Sequence, residues 1–292
     1  MPTYSIKDLE NLTGINSHTI RMWEQRYILL NPVRTPTNNR VYSDEDLRKL
    51  LFVSLLNNNG MKISKIANLT EAEMTEAVLQ LSESDDQNIE SYKENFKLIM
   101  MEMNDAKFEK LFNHLALHIG FEETMLKVFI PMFKKLSFLH QTNSVSTAQL
   151  NFITLLYKQK MYVAIDGLIP SEKPESKTFI LFLPKMEFLD NELLFCNYMA
   201  KKRGFKTLFL GTSIPTEELA GIIKKNPNCY LFSVATLAQT DLTDYYNNVL
   251  LLCNEEQKLL LAGSQAGTVK ISDPRLIVFQ EYTEFQFYLN QL

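Results

Sequence analysis

From residue 178 onward, short apolar runs alternate with amphipathic stretches, and this pattern limits the possible folds more than any other feature of the chain. Four runs have the length and apolar content of buried strands: Thr178–Leu183, Lys206–Leu210, Cys229–Ala235 and Lys258–Ala262. The stretches between them predict helices near 190–203, 215–225 and 240–254. Strands that alternate with helices at this spacing form a parallel sheet with right-handed crossovers. We therefore expect a Rossmann-like parallel α/β domain over residues 176–292.

The region before this domain has helical periodicity throughout. Thr70 and Glu73 form a capping box, and the next helical stretch carries apolar residues through Phe96, Ile99 and Met103. Another stripe follows at Phe108, Leu111, Phe112 and Leu115, and two more helices are expected over 121–138 and 145–165. Four helices with short connections predict a four-helix bundle over residues 76–170. Polar stretches at 82–87 and 170–177 are expected to be linkers or helix ends.

The first 75 residues predict short helices followed by a hairpin. Ser5 with Asp8 caps a helix that ends at Gly14, and Asn16 or Ser17 caps a second helix through about Tyr27. Two prolines exclude helix from the next stretch, where residues 37–40 look like a turn between extended arms. Ser43 then begins a third helix. This order is that of a winged helix-turn-helix over residues 1–75, so the fold class is α+β with several domains.

Composition and charge narrow the range of possible functions. Residues 1–70 hold nine Lys/Arg against six Asp/Glu, whereas the whole chain has a net charge of −4. Residues 1–70 are basic and the rest of the chain is acidic, so we expect a polyanionic partner to bind residues 1–70. No apolar run is long enough to cross a bilayer, no signal peptide is apparent, and three scattered cysteines indicate a reducing compartment. We expect a cytoplasmic protein with no membrane partner, no metal site and no enzymatic activity.

The segment from His18 to Ser43 contains the candidate DNA contacts. A recognition helix must present donors at its N-terminal turns to the major groove, and cations or aromatic rings beyond them can contact phosphate and sugar. Trp23 and Tyr42 would equally suit core positions. The predicted DNA-binding residues are His18, Thr19, Arg21, Trp23, Arg26, Tyr27, Arg34, Asn39, Arg40 and Tyr42.

This segment resembles the MerR family of transcription regulators, in particular the branch of cobalamin-dependent photoreceptor repressors. The shared pattern is approximately T-I-R-x-W-E-R-R-Y-x-L-L-x-P-x-R-T-x-x-x-x-R-x-Y-S, and it begins here at Thr19. Two residues depart from it, because Ile28 and Asn39 stand where the family often has glycine. Asn is the best substitute for glycine at positive φ, so we expect the wing to form.

The resemblance extends into the helical region, but the chemistry there has changed. The family carries W-x-x-G-x-I-x-V-A-x-E-H-F, whose Trp, Glu and His face the upper side of cobalamin. This chain has HQTNSVSTAQLNF over residues 140–152, so His140, Leu150 and Asn151 replace those three residues. The flanking positions Ser144, Val145, Ala148 and Phe152 keep the family's character.

In the predicted α/β domain, residues of the resembled cobalamin pattern are also replaced. Cobalamin domains of this type carry E-x-H-x-x-G after the first strand, and the His is the lower ligand to cobalt. Here Glu187 remains, whereas Leu189 and Glu192 stand in the His and Gly positions, and Ser264 interrupts a later Gly-Gly. Leucine has no lone pair for cobalt, and Glu192 adds bulk and charge where the corrin approaches. The resemblance therefore implies a retained scaffold with no predicted cofactor.

The leading hypothesis is a transcription regulator that binds double-stranded DNA and has lost the cobalamin ligands. One alternative is a regulator that still responds to cobalamin, or to another small molecule in the Rossmann-like crevice. Another is an adaptor that pairs with a ligand-competent paralogous regulator. We also expect a homo-oligomer, dimeric or larger. One winged helix-turn-helix domain buries too little surface on DNA to select a single site in a genome.

Overall fold

The computed structural model describes residues 3–35, 38–82, 89–141, 144–169, 177–184, 190–236 and 242–292. It divides into two compact units, residues 1–156 and residues 157–292. The two polar stretches predicted as linkers lie almost wholly outside the described residues. The finer division into domains at 1–75, 76–170 and 176–292 stays a prediction. Among the described residues, no helix combines the length and the apolar character needed to span a membrane.

The N-terminal segment forms the expected helices, and local capping sets their boundaries. Ser5 and Asp8 make a reciprocal capping box, and Gly14 ends the first helix with φ 75°. The side chain of Asn16 accepts from the His18 N–H and so begins the second helix. Ser43 and Asp46 form another capping box. The helices are α1 (Ile6–Thr13), α2 (Ser17–Tyr27), α3 (Asp44–Asn58), α4 (Ile63–Ile66) and α5 (Glu71–Ser82).

Three short strands form an antiparallel sheet in the order β1-β3-β2. The strands are β1 (Thr3–Tyr4), β2 (Val33–Arg34) and β3 (Arg40–Ser43). The pair β2 and β3 is the predicted hairpin, whereas β1 was not predicted, because two residues carry no periodic signal. The positive φ of the hairpin turn lies at Asn38, with φ 62°, and not at Asn39 as the sequence comparison suggested. Asn39 instead closes the turn by accepting from the Thr35 N–H at 2.9 Å.

The run of helices expected after residue 75 is confirmed. Its buried faces carry the predicted apolar stripes except at Met103, which follows the end of α6 and is 47% exposed. Phe96, Phe108, Phe112 and Phe129 pack together with ring centroids between 4.8 and 6.0 Å apart. The helices are α6 (Ile89–Glu102), α7 (Asp105–Ile119), α8 (Phe121–Thr124), a π-helical turn over Met125–Phe129, α9 (Ile130–Gln141) and α10 (Thr147–Asp166).

The C-terminal unit contains a five-stranded parallel sheet in the order β5-β4-β6-β7-β8. This confirms the parallel α/β fold. The central strands are buried along their length, which is why they appear in the sequence as continuous apolar runs. The strands are β4 (Thr178–Phe182), β5 (Thr207–Gly211), β6 (Cys229–Val234), β7 (Lys258–Ala262) and β8 (Leu276–Val278).

The helices of this unit include one that was not predicted. The three expected helices are α11 (Asn191–Lys202), α12 (Thr216–Lys225) and α13 (Leu242–Leu251), and the further one is α14 (Tyr282–Gln291). The edge strand β8 was also missed. It has only three residues, each partly exposed, so its sequence lacks the apolar run of the central strands. The cysteines Cys196, Cys229 and Cys253 are free and buried, as expected for core residues.

Candidate functional site

Helix α2 has one buried face and one exposed basic face. Ile20 and Trp23 point into the core, with 0% and 7% of their surface exposed. On the opposite side His18, Arg21 and Arg26 are exposed. Arg26 lies with its guanidinium carbon 5.5 Å from the ring centroid of Tyr27. The helix therefore presents three side chains that can be cationic on a surface free to meet a ligand.

Two of the predicted DNA-binding residues lie in the core. Trp23 is 7% exposed and Tyr42 is 0% exposed. Burial and the neighbouring Glu24 carboxylate raise the pKa of Tyr42, so its hydroxyl stays protonated. These positions correct the expectation that the two rings touch DNA. Their physical role is to pack α2 and β3 against the rest of the segment, which the sequence alone left open.

A carboxylate connects the hairpin to helix α2. Arg40 donates from its Nε to both oxygens of Glu24, at 3.0 and 3.2 Å, and the Tyr42 hydroxyl donates to Oε2 at 3.1 Å. The bonds to Glu24 use only the Nε of Arg40. Sequence reasoning missed Glu24 as a positioning residue, because its partners lie 16 and 18 residues away.

The tip of the hairpin is polar and exposed. Arg34 donates from a terminal nitrogen to Asn38 Oδ1 at 2.7 Å, and both side chains are exposed. Asn39 is exposed beside them, while Thr19 on α2 is half-buried. The exposed arginines of α2 and of the hairpin, which are Arg21, Arg26 and Arg34, belong to one short segment of the chain.

The residue that ends α2 has an unusual backbone. Ile28 adopts the left-handed conformation with φ 51°, and its N–H donates to Glu24 O at 3.0 Å. Its side chain is 75% exposed. A β-branched residue is strained at positive φ, and glycine is the residue usually found there. The departure from glycine at this position therefore costs stability without adding a core contact.

The three changed positions of the helical region differ in their surroundings. The His140 ring is placed with Nδ1 3.0 Å from the carbonyl oxygen of Val145. Leu150 is buried, with 8% of its surface exposed, whereas Asn151 is exposed. Each side chain is therefore occupied by local packing or open to solvent.

In the α/β unit, Glu187 and Leu189 lie outside the described residues. Glu192 lies in the first turn of α11, and its carboxylate accepts a hydrogen bond from the Tyr282 hydroxyl of α14. Burial raises the pKa of Tyr282, and the Glu192 carboxylate raises it further. Next to it, Asp190 forms an ion pair with Lys158. The chain has four histidines, at 18, 114, 118 and 140, so residues 157–292 contain none.

The turn after β7 brings two segments of backbone close together. Gly263 has φ 103°, and a Cβ there would lie 2.5 Å from the carbonyl oxygen of Ala235. The next residue, Ser264, donates from its hydroxyl to Thr236 O at 3.3 Å. Glycine is thus required at 263, while the serine at 264 binds the neighbouring strand end.

Two helices followed by an antiparallel hairpin, with an exposed basic second helix, define a winged helix-turn-helix domain. Comparison with known families agrees, because residues 4–73 match the model of the MerR HTH family regulatory proteins. The chain thus carries a MerR-type domain at its N-terminus.

Two curated relatives and one solved structure extend the comparison. The chain is 22% identical over 224 residues to the HTH-type transcriptional repressor CarA of Myxococcus xanthus, covering 75% of this chain and 72% of that protein. It is 40% identical over 67 residues to the repressor CarH of the same organism, covering 23% of this chain and 22% of CarH. A monomethylamine corrinoid protein of Methanosarcina barkeri superposes with a TM-score of 0.55 at 14% identity, over 70% of this chain and 100% of that chain. This last likeness concerns the fold alone.

Proposed function

We propose that this protein is a transcription regulator that binds duplex DNA through α2 and the β2–β3 hairpin. The main support for the proposal is that α2 is amphipathic. Its apolar face is buried, whereas His18, Arg21 and Arg26 are exposed. The repressors CarA and CarH, to which the chain is similar, support the same class of function. The proposed regulator has no catalytic residues.

The exposed and half-buried side chains of the proposed interface divide into two roles. His18 and Thr19 lie in the first turn of α2, where a recognition helix approaches base edges. Arg21, Arg26, Arg34 and Arg40 supply positive charge for phosphates, with Tyr27 and Asn39 beside them. Glu24 holds Arg40 and Tyr42 in place and so fixes the hairpin relative to α2.

The DNA proposal is tested by selecting duplexes from genomic fragments and measuring fluorescence anisotropy across salt concentrations. Arg26→Ala is expected to weaken binding to all duplexes alike and to reduce the salt slope by about one unit. His18→Ala should instead reduce the preference for the selected duplex. Lys201→Ala, which removes an exposed cation of the C-terminal unit, is the matched control and should change neither quantity. Equal salt slopes for Arg26→Ala and Lys201→Ala would contradict the assigned interface.

We further propose that the C-terminal module does not hold cobalamin through a histidine ligand. Residues 157–292 contain no histidine, and Leu189 occupies the position of the lower ligand in the resembled pattern. Glu192 stands at the position of the pattern's glycine, and its bond to Tyr282 holds its carboxylate in place. His140, Leu150 and Asn151 occupy the upper-face positions, and the His140 ring is close to the Val145 carbonyl. These residues do not fit a histidine-ligated cobalamin.

The second candidate is a cobalamin-responsive regulator, which the fold likeness to a corrinoid protein favours. Incubation with adenosylcobalamin in the dark, followed by desalting and absorbance spectroscopy, separates the two candidates. We expect no retained corrinoid. A near-stoichiometric corrinoid spectrum would establish the second candidate and overturn the first. The variant with Leu189→His and Glu192→Gly should gain weak binding, and Leu189→Ala with Glu192→Gly is its matched control.

A further inference from the structure

The N-terminal unit contains a small, mainly apolar cavity between helices α3, α5, α6 and α7. Its volume is about 90 Å³. Phe52 of α3 and Val78 of α5 form one wall, and the facing wall comes from α6 and α7. Phe52 belongs to the segment that matches the MerR family, so the cavity adjoins the DNA-binding segment. The apolar lining residues are Phe52, Val78, Leu98, Ile99 and Leu111.

The lining contains a buried amide donor that no residue described by the structure satisfies. Asn95 is 5% exposed, and its Nδ2 makes no hydrogen bond with any residue that the structure describes. A buried amide donor without an acceptor costs free energy, and native structures normally satisfy such groups. Asn95 lines the cavity, so an acceptor placed there would remove this cost.

The charged lining residues Glu102 and Lys107 lie toward the end of the cavity that is opposite Asn95. Helices α6 and α7 are joined by only two residues, Met103 and Asn104, and therefore run antiparallel. This arrangement brings Asn95 level with His114, whose ring is also near Tyr92, and Glu102 level with Lys107. Lys107 and Glu102 form an ion pair at 2.5 Å, and Lys110 lies between the two ends. The lining thus contains two cations and one carboxylate.

We propose that this cavity binds a small acyl compound, whose carbonyl or carboxylate oxygen accepts from Asn95 Nδ2 and whose short aliphatic group fills the apolar space. A cavity of 150 Å³ lined by apolar residues holds benzene, so a space of about 90 Å³ suits a group of about four carbon atoms. Lys107 and Lys110 favour a neutral or anionic ligand over a cationic one.

The test uses the full-length protein and three probes of similar shape: isovalerate, isovaleramide and isopentylamine. Ligand-observed NMR titration measures affinity, and methyl labelling of Ile99 and Leu111 reports the place of binding. Isovalerate and isovaleramide should bind with millimolar dissociation constants and shift the labelled methyl signals. Isopentylamine has no acceptor for Asn95 and should bind at least about fivefold more weakly.

Two variants and one control locate the site. Asn95→Leu removes the donor at similar volume and should weaken isovaleramide binding about tenfold. Val78→Phe fills the space and should abolish binding. Asn113→Leu makes the same chemical change as Asn95→Leu on an exposed position of α7 and should leave the affinity unchanged.

Several outcomes would overturn the proposal. These are no saturation by either acyl probe up to roughly 50 mM, equal affinity for isopentylamine, and unchanged binding in both cavity variants. The comparison of the three probes needs only the unaltered protein, so a variant that fails to fold does not remove the test. None of these measurements involves DNA, and their failure is therefore distinguishable from failure of the proposed regulator function.

Discussion

Lys97 forms a buried ion pair whose removal should strongly destabilise the N-terminal unit. Its Nζ lies 2.5 Å from Glu94 Oε1, and the two side chains are only 3% and 4% exposed. Lys97 also donates to the carbonyl oxygen of Leu12 at 3.2 Å. The pair thus joins α6 to the end of α1, in the segment that carries the proposed DNA contacts. We expect Lys97→Met to leave Glu94 as a buried carboxylate without its principal partner.

The contacts set the size of the effect. Two unit charges 2.5 Å apart attract each other with about 6 to 7 kcal/mol at an effective dielectric constant of roughly 20. This attraction offsets the cost of burying both charges, and breaking such a pair typically costs about 3 to 5 kcal/mol. Lys135 interacts electrostatically with Glu94 and replaces part of the lost attraction. We therefore expect a loss near the lower limit, about 3 kcal/mol in the free energy of unfolding.

The single tryptophan provides the assay. Trp23 is buried in the same unit, so its fluorescence during urea unfolding reports on this unit and not on the parallel sheet. Lys93→Met is the matched control, because Lys93 pairs with Glu90 at 3.0 Å on the same helix but Glu90 is 56% exposed. This control should lose less than about 1 kcal/mol.

A double variant distinguishes the buried pair from simple loss of packing. Combining Glu94→Gln with Lys97→Met removes both charges and should recover about 2 kcal/mol relative to Lys97→Met alone. Burial raises the pKa of Glu94, so the carboxyl takes up a proton more readily in the folded state. The loss caused by Lys97→Met should therefore shrink as the pH is lowered. A loss no larger than that of Lys93→Met, or strict additivity in the double variant, would refute this reasoning.

Three further predictions follow from other features. Ile28→Gly should raise the unfolding free energy by about 0.5 to 1 kcal/mol, since it relieves a left-handed backbone, whereas Ile28→Ala should have little effect in the same urea titration. Burial and the nearby Lys97 lower the pKa of Lys135 from 10.5 to about 8. The folded protein should therefore be more stable above pH 10.5, where Lys135 is neutral, and should lose this stability as the pH falls through about 8 and the buried amine takes up a proton. Unfolding curves of Lys135→Met should lack this rise between the two values, and an identical pH profile would contradict it. Sedimentation velocity should show two or more chains on a selected duplex, and a strict monomer both free and bound would contradict the proposed oligomer.

Local signals in the sequence were sufficient for most helices and for the central strands. Ser5 with Asp8 and Thr70 with Glu73 form the predicted caps, and Ser43, which was predicted to begin the third helix, forms a capping box with Asp46. Such caps act within four residues, so their outcome does not depend on the rest of the fold. The apolar runs of β4, β6 and β7 are visible for a related reason, because a strand buried on both faces has no polar positions.

The burial of particular side chains depended on contacts between distant segments. The sequence of α2 does not say whether Trp23 faces the core, and Tyr42 had two possible roles until β3 was placed against α2. Asn38 and Asn39 are chemically identical, and only the hairpin register assigns the positive φ to Asn38. Glu24 and Arg40 become partners only because the hairpin folds back.

The sequence by itself therefore determined the order of most helices and of the central strands, and the MerR-type resemblance of the N-terminal segment. Capping, periodicity and residue chemistry are properties of neighbouring positions, and they can be read without knowing the fold. The tertiary structure alone decided the cavity beside Asn95, the buried pair of Lys97 and Glu94, and the bond from Tyr282 to Glu192. The cavity lies between helices, Lys97 also binds the last turns of α1, and Tyr282 reaches from α14 to α11. The free energy of burying a polar group depends on what packs against it and not on its place in the sequence.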